Sequence, residues 1–296
     1  MASINYRWGY TESLPSLQWP TPCHDVGLAF AWLRENLMPP APSRRGVYVY
    51  GSYLGASLAA SIALTESAPS ERFGVRGLAA YNGVYNWTMF LAQHPIRRKI
   101  DSYQHLVTEG QHLHELGLVM DDLFDQPSHM FDPFASAGLF FHNPGMHVPD
   151  GFDEGASPVS DTVSMLIGLS DSESSASPPK PPRKSRLVFP PRLSTLKIPR
   201  TLLLYDLPAR IKGKRLSKKP QGHSFFAQAD ELAGYMRRSI DKVEFKERIK
   251  WDNNIDSWEV EARERVQLAQ LGQERNAKEL CDEGASKVLE WLEKRA

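Results

Sequence analysis

Residues 46–67 decide the fold of this chain and read Gly-Val-Tyr-Val-Tyr-Gly-Ser-Tyr-Leu-Gly-Ala-Ser-Leu-Ala-Ala-Ser-Ile-Ala-Leu-Thr-Glu-Ser. The β-branched and aromatic run at 47–50 predicts a short buried strand. The alanine- and leucine-rich run at 56–66 predicts a helix. Between them, residues 51–55 (Gly-Ser-Tyr-Leu-Gly) predict a tight turn. Because glycine has no Cβ, the two glycines would let the strand and the helix approach each other closely.

The segments around this unit alternate between strand and helix patterns. Residues 2–6 predict a strand that begins at the initiator methionine, and residues 24–36 predict an amphipathic helix ended by Pro39-Pro40. Residues 77–81 predict the next short strand. Strands that alternate with helices in this way are typical of a parallel sheet with crossover helices. The predicted fold class is therefore α/β, with a mostly parallel sheet flanked by helices.

The last third of the chain continues the same pattern. Residues 198–206 predict a buried strand, and 225–240 predict a helix with one apolar face. Residues 243–248 alternate and predict another strand, 255–271 predict a charged surface helix, and 278–294 predict a terminal amphipathic helix.

Composition restricts the class of partner and the compartment. The chain has 296 residues with 35 basic and 35 acidic side chains, and this balance argues against nucleic acid as a main partner. Neither a signal-peptide pattern nor an apolar run of about 20 residues is present. Two isolated cysteines, Cys23 and Cys281, give no disulfide framework and no zinc spacing, and they favour a reducing setting. We therefore expect a cytoplasmic protein without a cofactor or a metal site; the sequence predicts no oligomeric state.

Composition also divides the chain. Residues 1–85 and 197–296 form two parts of one α/β core, and 86–150 is a helical insertion rich in phenylalanine. Residues 151–196 are rich in serine and proline, which predicts a disordered insert. The basic residues within 178–186 suit either a solvated linker or a segment that binds a partner or an import receptor.

The first 90 residues contain several motifs in a fixed order. Ile-Asn-Tyr-Arg at 4–7 and Trp-Pro-Thr-Pro-Cys-His-Asp-Val at 19–26 are followed by a helix and then by the Gly-x-x-x-Gly turn. In this order the motifs resemble the esterase and lipase group of α/β hydrolases that includes the hormone-sensitive-lipase-like enzymes. In that family the turn is the nucleophile elbow, with the sequence Gly-x-Ser-x-Gly. The resemblance implies that 86–150 is a substrate-covering cap, although its aromatic residues also suit the core of a small helical subdomain.

The nucleophile position that the resemblance implies holds Tyr53 instead of serine. A phenol has a pKa of about 10 and its ring is bulky for such a turn. Gly51 and Gly55 still meet the steric demand of the elbow. Ser52 is adjacent, but a register in which Ser52 reacts abandons both glycines.

The other catalytic positions are checked by chain order, which in this fold is nucleophile, acid and then histidine. Asp206, at the end of the strand predicted for 198–206, is the candidate acid. The histidine should follow the last strand, predicted at 243–248, but no histidine follows His223. His223 precedes a helix and is expected to be a helix-entry residue. His105 and His112 would share a helix face, yet no carboxylate at metal-ligand spacing accompanies them.

The family's oxyanion loop, a His-Gly-Gly segment before the Tyr-Arg strand, is also missing from this sequence. The sequence thus indicates a degenerate family member, truncated at its N-terminus or reduced. The first hypothesis is a catalytically impaired hydrolase-fold protein that binds a small apolar, ester-like ligand or a partner protein. The alternative is an active carboxylic-ester hydrolase with displaced residues Ser52, Asp206 and His223. A third possibility is a non-functional fragment of a longer protein.

Overall fold

One parallel sheet of four strands organises the described part of the chain. A computed structural model describes residues 1–9, 17–97, 109–146, 183–208, 222–246 and 256–294, without the side chains of 256–259. The strands lie in the order β1-β2-β3-β4, and every pairing is parallel. They are β1 Arg45–Ser52, β2 Phe73–Tyr81, β3 Arg200–Leu207 and β4 Val266–Gln273. The predicted α/β class is confirmed.

Helices connect and flank the strands, as the alternating sequence pattern predicts. Short 3-10 turns at Trp87–Phe90, Pro127–Phe131 and Ala137–Phe140 lie between β2 and β3. None of the helices in the described ranges is long and apolar enough to cross a membrane. The helices are α1 Thr21–Leu37, α2 Leu54–Thr65, α3 Gln111–Leu118, α4 Met120–Leu123, α5 Phe225–Ser239, α6 Asp256–Arg265 and α7 Asp282–Glu293.

The two central strands are buried on both faces, which explains why β2 and β3 read as continuous apolar runs. The edge strand β1 is not: Tyr48 and Tyr50 are exposed, so the strand predicted for 47–50 is present but the prediction that it is buried is wrong. Along β2, Leu78 and Ala80 belong to the hydrophobic cluster on one face, whereas Ala79 and Tyr81 belong to the cluster on the other. Helix α2 presents small side chains to the first cluster, and Ala60 is completely buried there. Because these side chains are small, α2 packs close to the sheet. The turn before α2 must therefore be tight.

The strand predicted for residues 2–6 is wrong, because residues 1–8 form no strand. This segment runs past α1 instead. The guanidinium of Arg7 donates to both carboxylate oxygens of Asp25, and the backbone N–H of Arg7 donates to the same carboxylate. The hydroxyl of Tyr6 lies close to Gly55. Side-chain contacts with α1 and with the turn therefore replace strand pairing.

The last strand is also in a different place from the prediction. Residues 240–244 form a π-helical turn, Ile240–Glu244, that continues α5, so the strand predicted for 243–248 is wrong within the described residues. The helix predicted for 255–271 ends at Arg265, and β4 begins at the next residue. Val266 is completely buried, and β4 pairs with β3 along seven residue pairs. Pairing with the free edge of β3 overrides the helix propensity of this charged segment.

Part of the predicted insert lies within the described residues. The stretch 151–182 falls outside them, whereas 183–196 follows the surface of the domain. Phe189 is buried in the first hydrophobic cluster, and the hydroxyl of Ser239 in α5 donates to its carbonyl. The segment 183–196 therefore packs against the C-terminal half of the core.

Substituting Gly51 by alanine tests the close approach of β1 and α2. A Cβ on Gly51 would lie 2.3 Å from the backbone oxygen of Gly55. We expect Gly51→Ala to lower the free energy of unfolding by about 1–3 kcal/mol, because backbone must shift. Gly27→Ala in α1 is the control: a Cβ there meets nothing within 4 Å, and alanine should stabilise the helix by about 0.5–1 kcal/mol. Equal effects in urea unfolding would contradict the prediction.

Candidate functional site

Tyr53 connects β1 to α2 through a strained turn. Its backbone angles are φ 50° and ψ −115°, and it is the N-cap residue of α2. A non-glycine residue in such a conformation costs about 1–3 kcal/mol, so the surrounding structure must hold it. The N–H of Tyr53 donates to the carbonyl of Tyr81, at 3.0 Å, and fixes the turn to the end of β2. The tight turn expected between the strand and the helix is present.

The carboxyl ends of four parallel strands meet at the same edge of the sheet, where α/β proteins usually bind ligands. Tyr53 follows β1, Tyr81 ends β2, Asp206 lies near the end of β3, and Glu274 follows β4. The structure therefore brings the predicted nucleophile and acid positions to one edge. It adds residues that the sequence did not single out.

Asp206 is bound by two neighbours from β2 and the turn after it. The hydroxyl of Tyr81 donates to Oδ2 of Asp206 at 2.5 Å, and Nδ2 of Asn82 donates to the same oxygen at 3.1 Å. The carbonyl oxygen of the Asn82 side chain accepts the backbone N–H of Asp206 at 2.8 Å. Asp206 is 3% exposed, and within the described residues its Oδ1 has no hydrogen-bond partner. One buried acceptor atom thus remains open at this edge.

The phenol of Tyr53 lies between Asn82 and His112. Nδ2 of Asn82 donates to the phenol oxygen at 3.3 Å, and Nδ1 of His112 lies 3.1 Å from the same oxygen. Burial raises the pKa of Tyr53; the bond from Asn82 opposes this shift, and the nearby charges of Asp206 and Glu274 add to it. Because the pKa is raised from an already high value, the phenol is protonated at neutral pH.

Glu274 holds the N-terminus of α3 at the edge of the sheet. Its two carboxylate oxygens accept the backbone N–H groups of Gln111 and His112, each at 2.7 Å. A carboxylate is favoured at a helix N-terminus because that end carries unsatisfied N–H groups and a partial positive charge. Gly110 makes room for it, since a Cβ there would lie 2.5 Å from Oε2 of Glu274. Oε1 of Glu274 also lies 3.4 Å from Nδ1 of His112.

The position after the last strand, where a catalytic histidine was expected, is different in the structure. The residue that follows the last strand of the described sheet is Glu274, because β4 covers Val266–Gln273 and not 243–248. The one histidine beside Tyr53 in the described contacts is His112, which comes from the insertion between β2 and β3. His105, predicted to share its helix face, lies outside the described residues.

The structure places His223 in a separate buried cluster. Its Nδ1 lies 3.1 Å from Oε1 of Glu109, and its Nε2 lies 2.9 Å from Nε2 of Gln228. Since the amide nitrogen of Gln228 can only donate, Nε2 of His223 accepts and Nδ1 carries the proton. His223 directly precedes Ser224, the N-cap of α5, and so stands where a helix-entry residue was expected. Ser52 pairs with Tyr81 in the sheet, next to the turn.

Sequence reasoning missed Tyr81, Asn82 and Glu274, and it considered His112 only as a metal ligand. Tyr81 and Asn82 were detectable in principle, because Tyr81 ends the strand predicted for 77–81 and Asn82 follows it. Glu274 was hidden by the misassigned last strand. His112 joins the site only through the fold of the insertion, and no local pattern marks it.

Removing the phenol oxygen of Tyr53 tests the network around it. Tyr53→Phe leaves Asn82 and His112 with one partner fewer, so we expect the free energy of unfolding to fall by about 1 kcal/mol. Tyr48→Phe is the matched control, because Tyr48 is 38% exposed and packs its ring edge-on against Trp291. Its effect should stay within about 0.5 kcal/mol. If the two variants are equally stable, the network contributes nothing.

The buried histidine His94 makes the free energy of unfolding depend on pH. Burial lowers the pKa of His94 to about 4. The unfolded chain, with a histidine pKa of about 6.5, therefore binds the proton first as the pH falls, and the stability of the fold decreases from about pH 6.5 to about pH 4.

His94→Asn should reduce this slope by up to about 1.4 kcal/mol per pH unit. The asparagine oxygen can still accept the N–H of Ile96, which Nδ1 of His94 accepts at 3.2 Å. Urea unfolding of both proteins across this pH range measures the difference. Identical slopes would show that His94 does not titrate in this way.

The chain is similar to a curated protein and to a solved structure. No family model matches the chain. Esterase LipQ of Mycobacterium tuberculosis (strain ATCC 25618 / H37Rv) is 30% identical over 123 residues, which cover 39% of this chain and 28% of LipQ. The structure of the Francisella virulence factor BioJ aligns with 95% of this chain and 63% of BioJ, with a TM-score of 0.42 and 12% identity. The match thus spans little more than a quarter of LipQ.

Proposed function

We propose that this chain is a relative of the esterases and lipases of the α/β-hydrolase fold and that it binds a small apolar, ester-like molecule without hydrolysing it. The observation that carries the proposal is Tyr53 at the centre of the strained turn after β1. In the family that turn is the nucleophile elbow and its central residue is the nucleophile. The proposal takes the turn of this chain to be the same elbow with its nucleophile replaced.

The raised pKa and the hydrogen bonds of the Tyr53 phenol support the proposal that this residue does not act as a nucleophile. A nucleophile must be activated by a base or by a lowered pKa, whereas burial raises the pKa of Tyr53. Its hydroxyl is engaged by Asn82 and lies within reach of His112. The phenol thus occupies the position of the reactive group while remaining neutral.

The residue after β4 supports the same interpretation. Chain order in this fold places the catalytic histidine after the acid, and the corresponding position here is Glu274. Both of its oxygens are used to hold the backbone of α3. A carboxylate committed to a helix N-terminus is poorly suited to take a proton from a nucleophile, because protonation would weaken that contact.

The arrangement of Ser52, Asp206 and His223 argues against the alternative of displaced catalytic residues. His223 contacts Glu109 and Gln228 with its two ring nitrogens. Asp206 contacts Tyr81 and Asn82. A working triad needs the acid to bind the base and the base to reach the nucleophile.

One observation favours a second candidate, a hydrolase that uses Tyr53 itself. The distance of 3.1 Å from its hydroxyl to Nδ1 of His112 fits a nucleophile and its general base. Glu274, 3.4 Å from the same nitrogen, would stabilise a charged imidazole. The raised pKa of Tyr53 weighs against this candidate, and the experiment below separates the two.

The surroundings of Tyr53 suit an apolar ligand with one hydrogen-bond donor. Its ring makes edge contacts with Tyr81, Phe225 and His112, at centroid distances of 5.6–5.7 Å. A ligand that displaces part of this packing could donate to Oδ1 of Asp206, which is buried and has no hydrogen-bond partner within the described residues. A partner protein that inserts an apolar side chain here is the other occupant that the proposal allows.

Hydrolysis of nitrophenyl butyrate by the full chain and by four variants tests the proposal. We expect the wild type, Ser52→Ala, His223→Gln, Tyr53→Phe and His112→Gln all to match the rate without protein. Each removal of a true triad group costs several orders of magnitude in rate, so a working site would be obvious. Turnover lost in Ser52→Ala and His223→Gln would establish the displaced triad. Turnover lost in Tyr53→Phe and His112→Gln would establish a tyrosine nucleophile.

A further inference from the structure

A groove lies on the side of α5 that faces the segment 183–196, away from Tyr53. Its cavity volume is about 570 Å³, within the range of roughly 300–1,000 Å³ common for small-molecule sites. One wall is the stretch 186–192, and the other is the C-terminal end of α5 with the π-helical turn Ile240–Glu244. We call this feature the cationic groove.

The bottom and one wall of the cationic groove are apolar. Phe141 and Phe189 pack edge-on at a centroid distance of 5.2 Å, and the N–H of Leu187 donates to the carbonyl of Phe141 at 2.8 Å. Leu187 and Val188 are 51% and 53% exposed although they line the cavity. Covering these side chains with an apolar ligand would favour binding, because apolar surface removed from water contributes about 25 cal/mol per Å².

Positive charge surrounds this apolar surface. The lining contains one acidic residue, Asp241, and five exposed basic ones. Arg238 lies in the last turn of α5, where a cation also complements the helix dipole. The other four lie outside that helix, so the dipole does not explain them. The basic residues are Arg186, Arg192, Arg238, Lys242 and Lys246.

We propose that the cationic groove binds a single-chain anionic amphiphile, such as a long-chain carboxylate. The alkyl chain would cover Leu187, Val188 and Phe189, and the carboxylate would meet the surrounding basic side chains. Arginine suits this contact because its planar guanidinium binds a carboxylate through two hydrogen bonds. The proposal does not depend on whether the site at Tyr53 retains any chemistry.

A neighbouring cavity indicates which way such a ligand would lie. That cavity, of about 590 Å³, shares Arg186, Tyr235 and Arg238 with the cationic groove, but it also contains Asp230 and Glu231. Carboxylates at this end would repel an anionic headgroup. The headgroup therefore belongs at the opposite end, near Arg192, Lys242 and Lys246.

Isothermal titration of the full chain with dodecanoate, below its micelle concentration, tests the proposal. Dodecanol, dodecyltrimethylammonium and acetate serve as matched probes without the negative charge, with the opposite charge, and without the chain. We expect dodecanoate to bind at least about tenfold more tightly than each of them, since the first two probes cannot form the charge-assisted hydrogen bonds of a carboxylate and acetate lacks the alkyl chain. Equal binding of any of the three would overturn the proposal.

Two variants locate the binding. The double variant Arg192→Glu/Lys242→Glu should weaken dodecanoate binding by about tenfold or more, whereas Arg34→Glu/Lys197→Glu, which changes a partly exposed and an exposed cation outside the groove, should leave it within about twofold. Val188→Asn keeps the charges and should also weaken binding, because it removes part of the apolar wall. Circular dichroism checks that each variant is folded. No binding by the wild type, or unchanged binding in both groove variants, would contradict the proposal.

Discussion

The close contact between β1 and α2 is the constraint on which the rest of the site depends. Gly51 has no room for a Cβ against the backbone of Gly55, and Tyr53 between them is held at φ 50°. A residue in such a turn projects its side chain over the carboxyl edge of a parallel sheet. The backbone packing of β1 against α2 therefore sets the position of the side chain at residue 53, and it would do so for a residue other than tyrosine.

The polar groups that, in our proposal, occupy the positions of a catalytic site lie at this same edge of the sheet. Asp206 binds Tyr81 and Asn82, and Glu274 binds the first turn of α3. His112, which α3 carries, then lies beside the phenol of Tyr53. These polar groups bind one another, so the network stabilises the fold locally. Oδ1 of Asp206 stays buried at this edge without a hydrogen-bond partner among the described residues.

The fold was predictable to the extent that local patterns agreed with tertiary pairing. The strand at 47–50, the turn and α2 were predicted because a β-branched and aromatic run, two glycines and an alanine-rich run all indicate the same unit. Only the burial of the strand was predicted wrongly, because β1 lies at the edge of the sheet. Residues 266–273 form a strand because they pair with the edge of β3, and no local pattern within that segment predicts this pairing. Tyr53 and Asp206 were identified from chain order, whereas Glu274 required the correct last strand and His112 required the fold of the insertion.

A fluorophosphonate ester labels activated serine hydroxyls, so it tests directly the proposal that Tyr53 replaces the nucleophile of a hydrolase elbow. The intact mass of the full chain is measured after incubation with the reagent, beside an active serine esterase as the positive control. If Tyr53 occupies the nucleophile position as a neutral phenol, the mass of the chain stays unchanged while the control is fully labelled. A stoichiometric adduct on Ser52, located by peptide mapping, would contradict this conclusion.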